Sequence, residues 1–404
     1  MVDTRKKILI ISEYFYPEEF KINELAIKWN RLGYKVGVIT QIPSYPLSEL
    51  YKGYSNKWLS TENYKGINVF RVKTILGYKN SILRKIGKYI SFMVLGTILG
   101  IKLGSKYDYV FGFNVGPLTG MFPAVLINKV WKKDVTIWIQ DVWPDSVYAY
   151  GFKRIKIFEY LLNNFVRFIY SGVKSIAISG TSFLDSVKLY SDSSKEIAYV
   201  PNWADSLNRD LKPFNFSNEV KTQFTFAGNI GKVQNLENII EAFGSLDAKM
   251  SSTIQLNIIG DGSNRSKLES MVSSSKYRNI VFWGSRPRES MYKYFLSSDF
   301  LIVSLVSKDI FSATVPAKVQ TYIAAEKPIL AVILGDTANL VSSHNLGFCS
   351  NPDDIGGIRD TVIKCANSNA ATRKIFSQNS ATLTNTVFDR EVIISRLLQL
   401  TVEN

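Results

Sequence analysis

The sequence predicts an α/β protein built from two consecutive doubly wound domains. Three observations point there. Short apolar strand patterns alternate with helix patterns up to about residue 200, and the alternation then restarts. The strand candidates read as near-continuous apolar runs, the pattern of parallel sheets covered on both faces. A polar stretch without apolar periodicity, "VPNWADSLNRDLKPFNFSNEVKT" over roughly 200–222, reads as a linker between the halves. With 404 residues the chain can bury two cores. The predicted units are 1–200, 201–385 and a closing segment, 386–404, with an apolar-faced helix "REVIISRLLQL".

In order along the first half, "ILIIS" (8–12) reads as a strand and "NELAIKWNRLG" (23–33) as an amphipathic helix stopped at Gly33. "KVGVIT" (35–40) completes a βαβ unit. "INVFRV", "DYVFGF", "VTIWIQ", "KSIAIS" and "IAYV" continue the strands, mostly with helical patterns between them. The longest apolar run, "YISFMVLGTILGI" (89–101), has 13 residues, too few to span a bilayer alone. It reads as a core helix, or as an interfacial segment flanked by Arg84, Lys85, Lys88 and Lys102. In the second half "FTFAG", "TIQLNIIG", "NIVFWG", "DFLIVSL", "PILAVI" and "GFCS" repeat the alternation.

Composition narrows the function. A hydrophobic content of 46% excludes a disordered chain. Cys349 and Cys365 make no disulfide framework, which favours a reducing compartment, and the N-terminus shows no signal-peptide pattern. The single histidine, His344, argues against a histidine metal site or a Ser-His-Asp triad. The formal charge of +15 is uneven: residues 1–200 hold 28 Lys+Arg against 15 Asp+Glu, residues 201–404 hold 21 against 19. One half therefore suits an anionic surface or partner. No nucleic-acid motif accompanies the charge.

Open α/β sheets bind ligands at the carboxyl ends of their strands. After "FTFA" the loop Gly228-Asn229-Ile230-Gly231, with Gln234 nearby, opens a helix. It is either a tight turn or a loop whose backbone N–H groups meet an anion; it lacks dinucleotide spacing. Gly260-Asp261-Gly262 repeats the design, although Asp-Gly is also a common turn. In "TVPAKVQTYIAAEKPILAV", Thr314 can cap a helix, Pro316 fits its first turn, and Lys318 follows. Cations normally favour the other helix end, so Lys318 reads as sharing an anion with the helix N-terminus. A diphosphate between the Gly228 loop and Lys318 satisfies both. In the first half Asp141 follows a strand and precedes Pro144; it is a proton acceptor, a stabiliser of positive charge, or a turn residue. Asp145 reads as the cap of the next helix. Tyr14, Phe15 and Tyr16 in "SEYFYPEEFKIN" either pack the loop or line a channel.

Together "FAGNIGKVQNLENIIEAF", "LNIIGDGSNRSKLE", "VPNWAD" and "TVPAKVQTYIAAEKPIL" resemble the family 4 glycosyltransferases of GT-B fold. "EYFYPEEFKINELA", "ITQIPSYP" and "IQDVWPDSV" resemble its O-antigen and capsule branch, in particular N-acetyl-L-fucosamine transferases. The resemblance implies two Rossmann-like domains around a cleft: an acceptor domain with a membrane-facing basic surface, and a nucleotide-sugar domain. It implies a UDP-sugar donor, no required metal or other cofactor, and a peripheral place on the cytoplasmic face of the bacterial inner membrane. The acceptor it implies is a sugar on undecaprenyl diphosphate. Gly228, Asn229, Gly231 and Gln234, then Gly260, Asp261, Gly262, Thr314 and Lys318, become the donor-site candidates, and Asp141 faces the sugar. Glu13, Tyr14, Asn23, Arg84, Lys85 and Lys88 are the acceptor and membrane candidates, and the closing helix returns to the first domain. Two features depart from the family pattern. Ala313 and Thr321 stand where two glutamates are common, and Asn229 and Gln234 lie where a basic pair is usual. If the anomeric centre inverts, Asp141 is the general base; if configuration is retained, it stabilises the oxocarbenium-like transition state. A UDP-sugar epimerase and a non-catalytic sugar-nucleotide binder are the alternative readings.

Overall fold

The computed structural model describes residues 5–149, 153–204, 207–216, 222–307 and 315–403. The chain divides into two compact units, Met1–Pro201 with Ile393–Asn404, and Asn202–Val392.

The first unit is one eight-stranded sheet. Its strands are β1 (Lys7–Ser12), β2 (Lys35–Gln41), β3 (Leu59–Tyr64), β4 (Ile67–Val72), β5 (Tyr109–Asn114), β6 (Asp134–Ile139), β7 (Ser175–Ile178) and β8 (Glu196–Tyr199). Their order is β3-β4-β2-β1-β5-β6-β7-β8. Only β3 runs antiparallel to its neighbour among the described residues. It escapes the sequence pattern because it is polar and at the edge, with no buried side chain along it. A Lys65-Gly66 turn, both at positive φ, joins it to β4. The central strands β1, β2, β5 and β6 bury nearly every residue, as a doubly covered sheet requires.

The apolar run at 89–101 lies within one long helix, Ile82–Gly104. Gly96, Gly100 and Gly104 form a seam against the helix Phe122–Trp131. Added methyls there would come within 3.2 Å of Pro123, 3.0 Å of Ile127 and 2.8 Å of Ile127 and Trp131. One face of this helix is therefore core; its other face is exposed at Ile90, Val94 and Ile98.

The closing helix, Arg390–Val402, buries Ile393, Ile394, Leu397 and Leu400. Its carbonyls accept from the first unit: Trp29 Nε1–H donates to Ile394 O (3.4 Å), and Thr136 Oγ1 to Leu400 O (2.8 Å). The boundary falls after Val392 rather than at 385. Leu383 and Phe388 are buried in the second unit's core, and Ala204 N–H donates to Phe388 O at 3.2 Å.

The second unit holds β9 (Thr222–Ala227), β10 (Ile254–Ile259), β11 (Ile280–Gly284), β12 (Phe300–Ser304), β13 (Ile329–Val332) and β14 (Gly347–Ser350). They form a parallel sheet in the order β11-β10-β9-β12-β13-β14, with an apolar cluster on each face. The stretch expected to be a plain polar linker does more. Phe214 packs on Trp283 and Tyr294, with ring centroids 5.1 and 4.6 Å away, so this segment is anchored to the second unit by aromatic contact.

Leu397 is fully buried in the closing helix. Leu397→Ala is expected to destabilise the first unit by about 2–5 kcal/mol, read as a lowered urea midpoint of Trp fluorescence.

Candidate functional site

In the second unit the loops after β9 and β10 are laced together through their backbones. Gly228 N–H donates to Ile259 O (2.9 Å), Ile230 N–H to Asp261 O (2.8 Å) and Asn264 N–H to Ile230 O (2.9 Å). The approach is possible only without side chains. A Cβ on Gly260 would lie 1.8 Å from Gly228 O, and one on Gly262 would lie 2.4 Å from Ile230 O. Gly228 and Gly260 also sit at φ +134° and +142°, where glycine is favoured. Gln234 Oε1 accepts from Gly231 N–H (3.0 Å) and from Asn229 Nδ2 (3.5 Å), fixing the first loop's turn.

These loops and the helix Ala317–Ala324 bound a cavity of about 500 Å³. Gly228, Asn229, Gly260, Asp261 and Lys318 line it together. Gly231, Gln234 and Gly262 are not in its lining and act through loop geometry instead. Thr314 and Ala313 lie outside the described residues. Lys318 is in the first helical turn, and its stem is partly exposed, but its Nζ is inaccessible. Among the described residues no acceptor lies within hydrogen-bond reach of Nζ. It sits 3.9 Å over the Phe226 ring and 3.3 Å from where a Gly228 Cβ would be. Burial pushes its pKa down to about 7. A buried ammonium without a carboxylate partner is costly, and an anion entering the cavity is the group that would satisfy it.

In the first unit Asp141 lies two residues beyond β6. Its Oδ1 accepts from Ser146 Oγ and it also receives the Val142 N–H. Burial raises its pKa, and these two bonds oppose the rise. Asp145 opens the helix Asp145–Ala149, and its Oδ2 accepts from Ser186 Oγ at 3.1 Å.

Glu13, directly after β1, is 5% exposed. Its Oε1 has no hydrogen-bond partner among the described residues, while Oε2 lies 3.2 Å from a Cβ built on Gly116. Its pKa is raised to about 7, mainly by burial, with Lys88 opposing and Glu18 adding to the shift. Tyr14 is buried and stacks on Phe20 (5.0 Å), so it packs the loop. Asn23 pins the same loop: it accepts from Tyr16 N–H (3.1 Å) and donates to Glu18 O (2.7 Å).

Arg84 and Lys85 are exposed, as a membrane-facing flank requires. Lys88 is not. It is 1% exposed, donates to Tyr14 OH at 2.9 Å and lies 4.3 and 4.6 Å over the Tyr14 and Tyr78 rings. The expectation that it faces a membrane is corrected: its place on the inner side of the helix turns it into the core.

Residues 208–382 match the family described as glycosyl transferases group 1. The matched stretch lies within the second unit. WbjE of Pseudomonas aeruginosa, named as a glycosyltransferase, is 25% identical over 226 residues. That match covers 54% of this chain and 56% of the relative, so it spans just over half of WbjE's length. WcaI of Escherichia coli (strain K12), named for colanic acid biosynthesis, is 24% identical over 388 residues, 88% of this chain and 92% of the relative. Among solved structures, sucrose-phosphate synthase from Thermosynechococcus elongatus superposes with TM-score 0.71 at 12% identity, covering 98% of both chains. HepE of Anabaena, in complex with UDP and glucose, gives 0.64 at 12% identity, covering 98% of this chain and 99% of its own. At such identities the likeness shows the fold, which is GT-B.

The second unit also holds residues that sequence reading missed. Arg286 and Arg288 line the cavity from the loop after β11, and Tyr322 forms part of its wall. Tyr322 OH accepts from Ala227 N–H at 3.2 Å. "SRPRE" directly after the strand "NIVFWG" was the signal for the arginines. In the first unit Ser146 and Glu18 escaped notice. Glu18 Oε1 accepts from the N–H groups of Ser44 (2.9 Å) and Tyr45 (2.7 Å), and only the folded chain brings those segments together.

Gly260→Ala is expected to destabilise the domain by about 3 kcal/mol, the upper end of over-packing costs. Gly33→Ala, at φ +96° with nothing within 4 Å, bears backbone strain alone and should cost about 1 kcal/mol. Urea denaturation of the two variants checks the contrast.

Proposed function

We propose that this chain is a glycosyltransferase that moves a sugar from a UDP-sugar to a lipid-linked acceptor sugar during surface polysaccharide assembly. The observation that carries the donor half is the buried Lys318 ammonium beside the Gly228 loop, without a hydrogen-bond partner among the described residues. A nucleoside diphosphate supplies the missing charge, with Gly228 and Gly260 leaving room for it between Asn229 and Asp261. Arg286 and Arg288 add cations at the same cavity. The preference for UDP is supported by the likeness to HepE, solved with UDP and glucose. The polysaccharide setting is supported by WcaI, named for colanic acid biosynthesis.

In the transfer, an acceptor oxygen forms a bond to the anomeric carbon while the bond from that carbon to the diphosphate oxygen breaks. UDP leaves with the electron pair, and Lys318 neutralises its growing charge. The acceptor proton goes to Asp141 in the inverting form of the reaction. Ser146 positions that carboxylate. Lys318, with Arg286 and Arg288 at the same cavity, is assigned the charge-neutralising role that a divalent metal would otherwise take. N-acetyl-L-fucosamine is the proposed sugar, on the resemblance of the first-half motifs, and an undecaprenyl-diphosphate-linked sugar is the proposed acceptor.

Thermal-shift titration against UDP, GDP, ADP and CMP, with EDTA and then with magnesium, tests the reading. A selective UDP shift that survives EDTA is expected; no shift from any nucleotide overturns it. Lys318→Ala should weaken UDP binding by about 1.5–3 kcal/mol, and unchanged affinity would remove Lys318 from the site. Asp141→Asn should lower turnover far more than UDP affinity; the reverse would make Asp141 a binding residue.

The pH response has a definite sign. With the free-enzyme pKa of Lys318 down to about 7, the fold bears the charging penalty below pH 7 and sheds it as pH rises. The charged form binds diphosphate, so UDP affinity should fall from pH 7 to 9, approaching about tenfold per unit. Isothermal titration across that range should show the slope in wild type and none in Lys318→Ala.

A further inference from the structure

The helix Ile82–Gly104 has 23 residues and is long and apolar enough to cross a bilayer, yet its glycine seam is locked onto the helix Phe122–Trp131. Its outer face carries Ile82, Leu83, Ile86, Ile90, Val94 and Ile98, mostly spaced by four and 38–77% exposed. A neighbouring helix continues the surface. Ile155, Ile157, Tyr160 and Leu161, at the start of the helix Lys156–Ser171, are 60–74% exposed. Phe165 and Phe168 of that helix stack on Phe122, with ring centroids 6.3 and 5.6 Å apart. The three helices therefore lie side by side in one layer. Each joins parallel strands, so each starts at the strands' carboxyl ends. Both exposed apolar patches thus reach the same edge.

The charge around them is one-sided. Lys79, Arg84 and Lys85 precede or open the first helix, and Lys153, Arg154 and Lys156 open the second; all six are exposed. No acidic residue occurs between Glu62 and Asp108, and Glu159 is the single acid between residues 146 and 171. We propose that this helical face docks the protein on an anionic lipid bilayer, lying in the headgroup region rather than crossing it. Apolar side chains enter the interface while the basic rim meets lipid phosphates. An apolar face of this extent calls for a low-dielectric partner, and the cation-rich rim selects an anionic one. The inference rests on the reading of a lipid-linked acceptor, which needs the protein at a membrane, and it adds the 153–161 patch as a second anchor.

The full-length protein should co-sediment with vesicles of phosphatidylglycerol and phosphatidylethanolamine about tenfold more than with phosphatidylcholine vesicles, and less as salt rises. The double variant Leu83→Glu/Ile157→Glu should reduce that binding about tenfold or more. Arg84→Glu/Lys156→Glu should remove the preference for anionic lipid. UDP thermal shift measured on each variant reports retained folding, and these residues lie outside the nucleotide cavity. Wild type that binds neither vesicle, or a Leu83→Glu/Ile157→Glu variant that binds like wild type, overturns the proposal. A concentration-dependent dimer broken by the same two glutamates would assign the face to a second copy and also overturn it. Loss of the UDP shift in wild type would instead sink the donor reading and leave the vesicle result standing.

Discussion

The cavity of the second unit depends on a contact between two stretches of bare backbone. The loops after β9 and β10 exchange hydrogen bonds at a separation that leaves no room for a Cβ on Gly260 or Gly262. Because the loops close on each other, Gly228 and Gly260 line the cavity as bare backbone between the side chains of Asn229 and Asp261, with Gly228 against the Lys318 ammonium. The positive φ of Gly228 and Gly260 follows from the same closure. Substitution at any of these glycines acts on the cavity wall before it acts on a ligand.

Two kinds of buried charge coexist in the protein. Arg71 is fully buried and satisfied: it donates to Glu62 at 2.6 and 2.9 Å and to Gln41 O at 3.2 Å. Lys88 and Glu18 are likewise satisfied, by a tyrosine hydroxyl and aromatic faces in one case and by backbone N–H groups in the other. These groups stitch segments together. Lys318 and Glu13 are different, because each has a buried polar atom without a hydrogen-bond partner among the described residues. Their pKa values are moved in opposite directions to about 7, burial being the leading cause in both. Unmatched buried groups in native proteins call for a functional reason more often than matched ones do.

Most of the architecture was legible because parallel strands buried on both faces leave uninterrupted apolar runs. Strand β3 was not legible, since an edge strand of this kind carries "LSTENY", with no run and no buried face. The segment before β9 was misread as linker because its anchors, Phe214 and Phe216, are two aromatics in an otherwise polar stretch. Lys318 was legible because a cation at a helix start runs against the dipole. Lys88 was misread because nothing in the local sequence says which face of a helix packs inward; the glycine seam at Gly96, Gly100 and Gly104 gives that orientation only once its partner helix is known. Ser146 and Glu18 act through partners supplied by other segments, which local patterns do not reveal.

The closing helix also fixes an order of events during synthesis. The chain leaves the first unit at Pro201, builds the whole of Asn202–Val392, and returns at Ile393 to cover Trp29 and cap the sheet beside Thr136. The first unit is made first and completed last. While the second unit emerges from the ribosome, the earlier one holds an open apolar surface, so the downstream domain has its full sequence before the upstream one does.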